Sequence, residues 1–114
     1  QYTEENYRKN PDYLFAKLNY AELCIQEGRH EKIPEILNHQ FVIKLLYPER
    51  NVFHITEVVG FTGVIGHYFA LEGNMQQVEI CYRTLKDLAP YHPYTKKLGR
   101  YLRLAGIKNG LSKL

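Results

Sequence analysis

Lys96, Arg100 and Arg103 are spaced i, i+4 and i+7, which places three cations on one face of any helix that carries them. Such a row pairs with carboxylates or phosphates, each arginine as a planar fork and the lysine as a point charge. Other residue types offer less chemistry. The histidines (30, 39, 54, 67 and 92) show neither HExxH nor another paired ligand spacing. Ser112 is the only serine, which all but removes serine nucleophiles. Cys24 and Cys81 form no CxxC, and each sits among apolar residues, so two buried reduced thiols are expected. No catalytic constellation, metal set or cofactor motif emerges, and a non-enzymatic role is expected.

A second pattern is the spacing of Gly60, Gly63 and Gly66 in "GFTGVIGHYFALEGN". A dinucleotide-binding loop reads GxGxxG and follows a strand. Here the spacing is GxxGxxG, no strand precedes it, and a helical pattern continues through it. Glycines inside a helix cost about 0.5–1 kcal/mol each relative to alanine. Three of them imply a close approach by another helix or by a ligand.

The elements that must position these residues are all helical. Apolar residues recur at threes and fours, and no stretch alternates with period two. A first helix opens at Asp12 as its cap and stops at Gly28. A second starts near His30, carries Ile33, Ile36, Leu37, Phe41 and Leu45 as its apolar stripe, and ends before Pro48. A third runs from Val52 to Glu72 and stops at Gly73. A fourth spans Met75 to Ala89 and stops at Pro90. A fifth covers Pro93 to Ala105, closed by Gly106, with a frayed tail after it. No apolar run approaches the ~18 residues needed to cross a membrane. Residues 83–114 hold eight Lys/Arg against Asp87 alone, whereas residues 1–82 hold seven against eleven acids, so the net +3 hides a basic end.

Aligned on Gly28 and Gly73, the chain repeats itself. Ala21 and Gly66 lie seven residues before these glycines, Cys24 and Phe69 four before, and Ile33 and Val78 five after. Gly66, Phe69, Gly73, Val78, Tyr82, Leu85 and Pro90 then resemble the seven signature positions of the tetratricopeptide repeat (TPR), a helix–turn–helix unit. A half unit follows with Gly99, Leu102 and Gly106. The spacing between Gly28 and Gly73 exceeds the family period, so extra turns are expected on the second and third helices.

The resemblance implies an all-α, right-handed α-solenoid of about two and a half hairpins. Residues 1–13 would end a preceding repeat, 14–58 form a first repeat with an insertion, 59–91 a second, and 92–114 a half repeat and tail. It also implies a non-catalytic protein–protein interaction module in the cytoplasm, a fragment of a larger protein that presents a concave groove to a peptide or helix. Family positions assign Phe15, Leu18, Asn19, Glu22, Gly60, Gly63, His67, Lys96, Lys97, Arg100 and Arg103 to that groove. Gly66 would be buried against the fourth helix, with Gly60 and Gly63 open to the ligand. Of the residues with which some family members clamp the carboxyl terminus of chaperones, only Asn19 and Lys97 are matched, so that ligand is not expected. The basic row is either a wall for an acidic partner or the solvated face of a terminal capping helix. Nucleic acid is not expected, because the rest of the chain is acidic and lacks an RNA-type aromatic motif. A structural, self-associating module and a helical regulatory segment of a larger enzyme remain open.

Overall fold

A computed structural model describes residues 2–112, with side-chain environments for residues 2–106. All regular elements among them are helical: α1 (Tyr2–Lys9), α2 (Leu14–Gln26), a 3-10 turn (His30–Lys32), α3 (Ile33–Ile36), α4 (Ile43–Leu46), α5 (Ile55–Leu71), α6 (Met75–Leu88) and α7 (Pro93–Ser112). The helix α5 is the centre. It packs against α2 on one side and against α6 and α7 on the other, while α1 packs on α2.

The two glycine stops form as the sequence suggests. Gly28 and Gly73 both adopt positive φ, at 74° and 76°. Arg29 N donates to the carbonyl of Cys24 (2.7 Å) and Asn74 N to that of Phe69 (2.9 Å), so both helices close with the same six-residue hydrogen bond. The start of α2 differs: Asp12 does not cap it, and Tyr13 takes the cap position without a side-chain bond. The Asp12 carbonyl instead accepts from the Tyr47 hydroxyl at 2.6 Å. At the other end α7 does not stop at Gly106. Its backbone is helical to Ser112, and residues 113–114 of the expected tail lie outside the described residues.

The second expected helix is the main departure. It breaks after Ile36, where Asn38 and His39 both take positive φ (53° and 59°). Asparagine tolerates this left-handed conformation because its short side chain costs little there. His39 N then donates to the Pro34 carbonyl at 2.7 Å, a helix-ending closure. Leu45, expected on a buried stripe, is exposed. The extra residues therefore add no turns to two helices but form α4 and a loop. That loop is pinned from within: Lys44 Nζ donates to the carbonyls of Pro48 (2.8 Å) and Arg50 (2.6 Å).

Under the broken helix lies Lys17, only 3% exposed. Its ammonium donates to the Ile36 carbonyl at 3.0 Å and sits 5.7 Å from the centre of the Tyr7 ring. One cation thus satisfies the end of α3 and ties it to α2, and burial pushes its pKa down. Tyr7 also stacks on Tyr20, which fixes α1 to α2.

Entry to α5 is set by Arg50 and Glu57. The guanidinium donates to both carboxylate oxygens at 2.8 Å, and Glu57 also accepts from His54 N at 2.8 Å. These bonds hold the Glu57 carboxyl at about 2, against an ordinary 4.5. A carboxyl lowered in the folded state stabilises it above the unfolded pKa, and that contribution disappears as pH falls through the folded value. Acid titration followed by circular dichroism should show part of the stability lost between about pH 4.5 and 2, and Glu57→Gln should remove that part of the curve.

The glycines of α5 form a bare face, and the structure corrects one assignment on it. Gly66 is buried, and a Cβ there would overlap Leu98 Cδ1 and approach Cys81 Cβ to 3.1 Å. Gly63 is not open: a Cβ would overlap Cγ and Cδ2 of Tyr94. These ring atoms lie near the α7 backbone and cannot swing away as a chain end would. Gly60 is half-buried and faces Leu18 Cδ1 at 3.1 Å from an added Cβ. Gly63→Ala, neutral or stabilising for a residue open to solvent, should therefore lower stability by about 1–3 kcal/mol in thermal or urea melts.

Candidate functional site

Where α7 begins determines which of its faces meets α5 and which meets α6. Tyr94 N donates to His92 Nδ1 at 3.1 Å, and Thr95 Oγ1 donates to the Ala89 carbonyl at 2.7 Å. These bonds fix the first turn to the end of α6. Tyr94 then lays its ring over Gly63 and donates its hydroxyl to Glu22 of α2 at 2.6 Å. Burial and the Glu22 carboxylate both push the Tyr94 pKa up, so it stays a donor. The three longest-separated helices of this face, α2, α5 and α7, are joined at one phenol.

From that anchor α7 separates two clefts. The cleft on the α5 side has a volume of about 430 Å³ and is lined by His67, Lys97, Arg100, Tyr101 and Leu104. The cleft on the α6 side, about 300 Å³, is bordered by the cations Lys86, Lys96, Arg100 and Arg103, with Tyr82 and Gly99 at its base. Arg100 borders both. A third hollow of about 360 Å³, mostly apolar, lies beyond the α6–α7 turn between Phe15, Val59, Gly60, Leu88 and Tyr94.

The residues assigned to a groove from sequence therefore divide among several places. His67, Lys97 and Arg100 come together in the α5-side cleft. Lys96 and Arg103 belong to the α6-side cleft and meet them only through Arg100. Phe15 and Gly60 line the apolar hollow. Asn19 is exposed and lines none of the three, whereas Glu22 is committed to Tyr94. Leu18 is a correction: at 5% exposure it is core rather than contact surface, packed beneath Gly60. Gly63 is likewise filled by Tyr94 and offers no surface to a ligand.

Sequence reasoning passes over Tyr94, Tyr101, Leu104 and Lys86. One signal was present: Tyr94, Lys97, Tyr101 and Leu104 follow i, i+3, i+7 and i+10, a single helix face. A second was the bare glycine face itself, which requires a bulky neighbour from elsewhere in the chain.

Charge on this face is uncompensated. The ion pairs described, Glu4–Arg8, Glu27–Arg29, His30–Glu72, Arg50–Glu57 and Glu79–Arg83, all fall within residues 4–83. None involves Lys86, Lys96, Lys97, Arg100 or Arg103. Lys97 Nζ lies 5.7 Å from the centre of the Tyr94 ring, its one described attraction. His67 is 8% exposed, and burial first, then Lys97, pushes its pKa down, so its imidazole is neutral near pH 7. Among the described residues no group of three His, Cys, Asp or Glu side chains is gathered as a metal would require. Cys24 and Cys81 are separate buried thiols, and burial raises Cys81 to about 11, far from a reactive thiolate. No described helix is long and apolar enough to cross a membrane.

No family model matches the chain, and no curated protein or solved structure matches it either.

The Tyr94 phenol gives a direct test of how the site is held. Tyr94→Phe should cost about 1.5–3 kcal/mol in urea denaturation, the value of a hydrogen bond to a charged acceptor. Because Gly63 and Tyr94 touch, a double-mutant cycle between Gly63→Ala and Tyr94→Ala should show coupling of about 0.5–3 kcal/mol, whereas independent sites would add.

Proposed function

We propose that this chain is a non-catalytic protein–protein interaction module built on TPR-like hairpins, which offers the α7 face to an acidic peptide segment. The observation that carries the reading is the set of five cations around two adjoining clefts with no carboxylate partner among the described residues. Isolated surface cations need no explanation, but cations gathered at concave surface and left unpaired suit an anionic ligand. From Lys96 to Arg103 the row rises about 10 Å along the helix, the length of about three extended residues. A short run of Asp or Glu fits that span.

The solenoid part of the reading is supported by three features. The helices α2 and α5 end in the same glycine closure. Gly66 sits where a small residue lets the partner helix approach. The molecule is elongated, 52 × 30 × 23 Å, and its helices pack mainly on their neighbours in sequence. The short α3 is the least TPR-like part, since a full repeat would have a longer second helix there. A second reading, self-association, draws on the exposed Val42 and Ile80, which line one hollow with Phe61 and Ile65, and on the exposed Leu45.

Binding of an acidic peptide should weaken with salt without vanishing, because exposed charges are screened over about 8–10 Å at ordinary ionic strength. Reversal of Lys96, Arg100 and Arg103 to glutamate should slow association more than it speeds dissociation, with the melting temperature nearly unchanged. Stopped-flow or surface-based kinetics measure both rates. An affinity indifferent to salt and to the triple reversal would return α7 to a solvated cap. A solution mass twice that of the chain, with no peptide binding, would favour self-association.

A further inference from the structure

His67 presents a problem that the basic row does not solve. Its side chain is more than nine-tenths buried on the wall of the α5-side cleft, and Nδ1 is wholly enclosed without a hydrogen-bond partner. Nor does any described residue pair with Nε2. A ring nitrogen in such a place loses its water and receives nothing in return, a cost that a hydrophobic residue of similar size would avoid. Its ring contact is with Tyr101, 5.9 Å between centres.

The neutral ring carries one proton. An enclosed N–H without an acceptor is rarer and costlier than an enclosed lone pair, so the proton belongs on Nε2, and Nδ1 keeps its lone pair inside. Around the ring, Lys97 and Arg100 of α7 contribute positive charge, Tyr101 a hydroxyl, Glu22 of α2 negative charge already engaged by Tyr94, and His30 lies farther along α2's exit. The cleft thus offers donors from four side chains, His67, Lys97, Arg100 and Tyr101, and no free acceptor of comparable strength.

We propose that the α5-side cleft seats one carboxylate side chain of the acidic peptide, held by Lys97 and Arg100 with His67 donating through Nε2. This rests on the interaction reading above and specifies its anchor. The occupant is an internal aspartate or glutamate: the cation row continues across Arg100 to Lys96 and Arg103, so the chain must run on past the anchored acid.

The probes are hexaglutamate blocked at both ends, so that it has no terminal carboxylate, and glutarate, a dicarboxylate with no peptide chain. Calorimetry should give hexaglutamate an affinity for His67→Gln within about twofold of the native chain, since the glutamine amide places an N–H near Nε2, and about tenfold weaker for His67→Leu. Equal binding by His67→Leu would overturn the seat. If His67→Leu does not fold, Lys97→Met substitutes for it: weaker binding supports the proposal and unchanged binding sinks it. NMR of the His67 ring separates the two readings. A shift with glutarate but no hexaglutamate binding keeps the seat and discards the peptide-binding module, while no shift with either probe discards the seat.

Discussion

Four side chains occupy space that exists only because α5 lacks Cβ atoms along one face. Leu18 comes to Gly60, Tyr94 to Gly63, and Leu98 with Cys81 to Gly66. The helix loses some intrinsic stability through its glycines. What it gains is approach: α2 on one side and α7 on the other settle into the missing volume, and the core closes with Leu98, Leu85, Val78 and Val64 almost fully buried. Packing of this kind is unforgiving, because protein interiors are as dense as organic crystals and transmit small displacements.

The clefts are consequences of that packing. Tyr94 is held at its ring by Gly63 and at its hydroxyl by Glu22, so the angle at which α7 leaves the α6 turn is fixed at both ends of one side chain. That angle sends Lys97 and Tyr101 towards His67 and leaves Lys96 and Arg103 above α6. The candidate site and the packing that stabilises the fold are therefore not in separate parts of this molecule. The glycine face that holds the helices together also aims the cations.

Local signals were legible in the sequence, and long-range ones were not. Gly28 and Gly73 could be read as helix stops because a single left-handed residue after a periodic run needs only its own neighbours to explain it. The long α5 and the amphipathic α6 followed from periodicity. The break at Asn38–His39 did not, because the apolar pattern of Ile33, Ile36, Leu37 and Phe41 continues across it. What favours the break is Lys17, a cation from another helix that satisfies the Ile36 carbonyl. The cover over Gly63 was hidden for a similar reason, since Tyr94 lies far along the chain. Leu18 was misplaced because its groove position came from the repeat pattern, whereas the bare backbone at Gly60 draws it inward. The basic row was visible as charges, but its division between two clefts depends on the rotation of α7 about its axis.

The ammonium of Lys17 is sealed by α1, α2 and the single turn of α3. A helix as short as α3 has little stability of its own and exists because its neighbours hold it. The amine can react with an acylating reagent only when α3 lifts or the whole molecule opens. Exposed lysines such as Lys96 react on the timescale of the reagent, but Lys17 reacts on the timescale of the protein. The chain thus contains an internal clock for its own opening, readable by mass spectrometry at one residue beneath one of its shortest helices.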